Sequence, residues 1–104
     1  MSAYAFFPDI TKQATIPEKG ILSRTLHQDE KLKIILFGFA QGEELSEHTA
    51  QVPAVLHFLE GRAQLKLGDD VMSASAGSLA HMPAKLTHAI KAETPVLMLL
   101  YMLK

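Results

Sequence analysis

The sequence predicts an all-β fold, a small barrel or sandwich, and three observations carry that reading. Eight or nine short runs of apolar or alternating residues are separated by Gly, Asp and Pro turns. No segment carries the apolar stripe of an amphipathic helix. Two strand–loop units, Gly42 to Gly61 and Gly77 to His88, each place a histidine beside a proline bend, which suits a barrel whose histidines reach a common pocket.

Taken in order, Met1 to Gly20 is an arm without sustained period. Pro8 and Pro17 keep it out of long helix, and Phe6, Phe7 and Ile10 are placed to cover a barrel end or reach a partner subunit. Ile21 to His27 reads as a strand, Gln28-Asp29-Glu30 as a turn, and Leu32 to Ala40 as a longer strand covered on both faces, since only Lys33 in it is polar. The stretch from Gly42 gives a strand carrying His48, a kink at Pro53 and a second strand ending at Glu60-Gly61. Ala63, Leu65 and Leu67 alternate with Arg62, Gln64 and Lys66, the period of a half-buried strand. Gly68-Asp69-Asp70 is a hairpin turn, Val71 to Ala76 a strand of small residues, Leu79 to Met82 a strand, Pro83-Ala84-Lys85 a loop, and His88 to Lys91 a strand. Pro95 breaks the chain before Val96 to Leu103, the longest apolar run.

At 104 residues, 48% hydrophobic and 20% charged, the expectation is one domain over 1–104, with an arm at 1–20 and a barrel core at 32–103. A net charge of −1 without a Lys/Arg cluster argues against nucleic acid. No window reaches the roughly 18 apolar residues a membrane helix needs. There is no cysteine, which removes disulfides, thiolate metal sites and a cysteine nucleophile. The opening residues lack the pattern of a signal peptide, so the expected compartment is the cytoplasm.

Together these residues resemble a small single-domain cupin. The family's first motif sets a glycine ahead of a His-x-His pair, a glutamate and a closing glycine; Gly42, His48 and Gly61 occupy their places in it. The second motif sets a glycine ahead of Pro-x-Gly and a histidine, and Gly77, Pro83 and His88 fill it. The resemblance implies a double-stranded β-helix (jelly-roll) barrel of the RmlC-like kind, frequently paired as a homodimer. Ala50 stands where the second histidine of the first motif belongs, Ala54 where the glutamate belongs, and Lys85 where the second motif has glycine. Metal-binding members hold their ion with three histidines and that glutamate, so this chain keeps His48 and His88 alone.

The predicted ligand pocket is lined by His48, Gln51, Leu56, Phe58, Met82 and His88. Two readings of its histidines stand: a degenerate divalent-metal site on His48 and His88, with Gln51 or His81 as a third group, or a pair of imidazoles hydrogen-bonded to water or ligand. Strand alternation sets Glu47 on the opposite face from His48, and puts His57 on an outer surface if Ala54 faces inward. His27, beside a polar turn, is expected to be exposed. Met72, Met82, Met98 and Met102 are placed to line the barrel.

The expected function is therefore a small-molecule-binding cupin. A metal-dependent dioxygenase or isomerase using His48 and His88 is the first alternative, and a self-associating domain the second. A homodimer is expected because Leu32–Ala40 and Val96–Leu103 both lack a polar face.

Overall fold

A computed structural model describes residues 3–104. Its strands are β1 (Ile21–Gln28), β2 (Leu32–Phe39), β3 (Glu44–His48), β4 (Ala54–Glu60), β5 (Arg62–Leu67), β6 (Asp70–Ser75), β7 (Leu79–Met82), β8 (His88–Ala92) and β9 (Val96–Leu103). They form a five-stranded sheet, β1-β2-β9-β4-β7, and a four-stranded sheet, β3-β8-β5-β6. Neighbours pair antiparallel, and the chain crosses repeatedly between the sheets. This is the predicted all-β jelly roll.

Alternation of side chains builds the core. Phe39, Leu56, Phe58 and Met98 point inward from the large sheet, and Ala63, Leu65, Ala74, Ile90 and Ala92 from the small one. Ala74 pairs with Ala63, and Ala63 with Ala92. This row of small side chains offers the depth into which the large residues of the facing sheet pack.

Part of the outer face of the large sheet is also buried, and the chain covers that part itself. Leu36, Leu97 and Leu99 are almost fully enclosed, with Ile10, Ala14 and Ile16 of the arm packed on them. Close approach is possible because β2 carries Gly38 there. A Cβ at Gly38 would stand 3.2 Å from the Ile16 Cα and 3.2 Å from the Thr15 carbonyl oxygen. A short 3₁₀ turn, Ile10–Lys12, sets the arm's course, and the Asp9 side chain caps it by accepting from the Thr11 amide at 3.0 Å. Part of the covering that the sequence assigned to a partner thus comes from the arm. Ile10 packs on the sheet, whereas Phe6 is exposed.

Two local expectations are corrected. β6 begins at Asp70, paired with Leu67, so the hairpin turn is Gly68-Asp69 alone. Met72 does not line the barrel as Met82 and Met98 do; it lies on the edge strand β6, exposed.

Candidate functional site

The site begins at a β-bulge. In strict alternation His48 would face away from Leu45, yet the pairing of β3 with β8 shifts register between Leu45 and His48. Ser46 and Glu47 consequently both border the outer groove, while Leu45 packs on the core and His48 turns back to the barrel's mouth. Bulges re-aim side chains in this way. His48 lands directly opposite His88. Their ring centroids are 4.1 Å apart with the planes at 59°.

Each imidazole is held by a backbone carbonyl. His48 Nδ1 lies 2.7 Å from the Ser46 oxygen and His88 Nδ1 lies 2.9 Å from the Leu86 oxygen. A carbonyl only accepts, so each Nδ1 carries the proton and, in the neutral ring, each Nε2 presents a lone pair. His88 is only 6% exposed. No buried side-chain nitrogen or oxygen among the described residues lacks a partner, so the His88 Nε2, which has no protein partner, keeps open space in front of it. Burial lowers the His88 pKa from its ordinary value, the Leu86 carbonyl opposes that shift, and the adjacent His48 adds to it.

The imidazoles form the polar end of a cavity of about 420 Å³, otherwise lined by Thr49, Ala50, Gln51, Val52, Ala54, Met82, Leu100 and Met102. Of the residues the sequence named, His48, Gln51, Met82 and His88 meet here. Leu56 and Phe58 do not line the cavity: they lie deeper, in the packed core, because side chains from both sheets fill the barrel below Ala54. His81 is also elsewhere. It pairs with Val55 on the outer face and is exposed, one residue out of phase with inward-facing Met82. His57 is on that outer face too, paired with Leu79. His27, partly covered, contacts Asp29 at 2.7 Å. Met102, which the sequence placed to line the barrel, does line it here; the alternation of β9, which turns Leu100 inward with Met98 and Met102, was a usable signal for Leu100.

The loops that frame the mouth are tied together. The Lys85 amide donates to the Ala50 carbonyl at 2.7 Å. Lys85 occupies the third position of a turn closed by Leu86 N–H to the Pro83 oxygen at 3.3 Å, with φ of 70°. A type II turn requires that left-handed conformation and favours glycine in it, so the lysine is strained.

Whether these residues suit a metal ion follows from the donor set. Two imidazoles face one another, Ala50 and Ala54 line the cavity without donor atoms, and no group of three or more His, Cys, Asp or Glu among the described residues is placed to hold an ion. Glu47, the nearest carboxylate in sequence, is on the outer face and pairs with Lys66. The set is half of what the metal-binding pattern supplies and does not fit a resident catalytic ion.

Comparison with known proteins gives the family through structure. No family model matches the chain, and no curated protein matches it in sequence. Among solved structures, a conserved protein of unknown function from Streptococcus pyogenes is similar at 30% identity and a TM-score of 0.87, over 99% of this chain and 90% of that one. A cupin superfamily protein from Desulfitobacterium hafniense is similar at 28% identity and a TM-score of 0.85, over 90% of this chain and 86% of that one. An RmlC-like cupin from Shewanella frigidimarina shares the fold at 18% identity and a TM-score of 0.82, over 98% and 91% of the two chains.

Proposed function

Since the chain belongs to the cupin superfamily as a small cupin domain, we propose that it binds a small, mostly apolar molecule at the barrel mouth, with His48 and His88 as the polar end of the site. The observation that carries this reading is the paired imidazoles, with Nδ1 committed to backbone and Nε2 without a protein partner, at one end of an otherwise mostly apolar cavity. Concave apolar sites with a few placed polar groups are the usual form of small-molecule pockets. The test is a small-molecule screen followed through the methyl resonances of Met82 and Met102. Hits should shift both methyls, and His48→Ala should weaken them. Hits that move neither methyl would contradict the proposal.

A second reading has its own support. Metal-ligating histidines commonly donate their other ring N–H to a backbone carbonyl, as both do here. On this reading His48 and His88 would be the protein ligands in a metal-dependent dioxygenase or isomerase. The missing donors at Ala50 and Ala54 rank this reading below the first.

For the assembly we propose an isologous homodimer. The outer face keeps Leu79 of β7 67% exposed beside His57 and Val55 of β4. A second copy placing the same strip against it would cover Leu79 on both. Sedimentation should give a dimer that Leu79→Lys converts to monomer; a wild-type monomer at micromolar concentration would refute the assembly.

A further inference from the structure

The pocket's polar end is the imidazole pair, with Thr49 and Gln51 as the other polar side chains of the lining. The lining contains no Lys, Arg, Asp or Glu. Both imidazoles spend their N–H on backbone carbonyls, leaving two Nε2 acceptors on rings whose centroids are 4.1 Å apart. An anionic head group would meet lone pairs with no cation to receive it. A cationic one would enter an apolar cavity with no carboxylate to neutralise it, which is costly. Ethers, ketones and esters offer only acceptors. The head group that satisfies two adjacent acceptors without charge is a pair of adjacent donors. Beyond the imidazoles the lining holds Thr49 and Gln51, whose hydroxyl and amide can accept as well as donate, and Val52, Met82, Leu100 and Met102, aliphatic and thioether surface without an aromatic platform. Resting on the binding function proposed above, we propose that the ligand is a neutral aliphatic molecule bearing a vicinal diol, each hydroxyl donating to one Nε2 of the His48–His88 pair.

The experiment uses the full chain, treated with EDTA and carrying ¹³C-methyl methionine, titrated separately with 1,2-hexanediol, 1,2-dimethoxyhexane, hexanoate and hexylamine while Met82 and Met102 are followed. The expected result is that the diol binds about tenfold tighter than its dimethyl ether, the worth of two hydrogen bonds, and tighter than both charged probes. His48→Ala and His88→Phe should each cut that preference severalfold. If the ether matches the diol, or hexanoate or hexylamine binds best, the donor-head inference is overturned and the pocket stands. If no probe moves either methyl, both the inference and the binding function fall. If the diol binds only when zinc is restored, the acceptor-pair inference is overturned in favour of a metal.

Discussion

His48 and His88 face each other across β3 and β8 with ring centroids 4.1 Å apart, each donating Nδ1–H to the carbonyl two residues before it. The first prediction follows from the buried member. The His88 pKa is lowered from 6.5 by desolvation first, then by His48. The folded state therefore binds fewer protons than the unfolded chain as pH falls through 6.5. Its contribution to stability is full above that pH and is lost as pH falls through the lower folded value. Urea denaturation should show the protein less stable at pH 5 than at pH 7.5, with a smaller difference in His88→Phe.

A separate acid step belongs to Asp29. Its carboxylate accepts from His27, and from the backbone amides of Lys31 and Leu32 at 2.8 and 2.9 Å, which lowers its pKa from 3.8 to about 2. The stabilisation is present above the unfolded value and disappears between about pH 4 and 2. Asp29→Ala should remove this step and leave the one above pH 5 intact.

Two glycines should prove irreplaceable for different reasons. Gly61 has φ of 85° and a Cβ there would lie 2.0 Å from the Pro95 carbonyl oxygen. Gly61→Ala should cost at least about 2 kcal/mol by thermal or urea denaturation. Gly38→Val should instead push the arm off the sheet, with a loss of about 1–3 kcal/mol and faster amide exchange confined to Ile10–Pro17 and the strands beneath.

Lys85 offers the opposite experiment. Its left-handed φ of 70° is strained for a lysine. Lys85→Gly should relieve that strain while keeping the backbone hydrogen bond from residue 85 N–H to the Ala50 carbonyl, for a net gain of up to about 1 kcal/mol after the added freedom of the unfolded chain is counted.

Restoring the family's donors tests what the two alanines do. Ala50 and Ala54 both border the cavity. Ala50→His with Ala54→Glu should convert it into a site that takes up zinc stoichiometrically, read by calorimetry. Neither single substitution should match the pair.

Much of this was legible in the sequence, for physical reasons that vary along the chain. Strands announced themselves where one face meets water, as in Arg62 to Leu67, and where turns are forced by Gly and Pro. The paired spacing around Gly42, His48, Pro83 and His88 located the mouth. What sequence alone misplaced depends on depth and phase. Leu56 and Phe58 share a face with Ala54 but lie below the cavity, where facing side chains fill the barrel. His81 sits one residue out of phase, beyond a loop across which parity cannot be counted. The arm's contact with Leu36, Leu97 and Leu99 was hidden because a segment without periodicity gives no sign of where it docks.

The most direct test of the central claim is elemental analysis of the protein purified without a histidine tag, before and after dialysis against zinc. If His48 and His88 serve as an acceptor pair for a small molecule, transition-metal content should stay well below stoichiometric in both samples. A stoichiometric ion that survives dialysis, and is lost in both His48→Ala and His88→Phe, would contradict it.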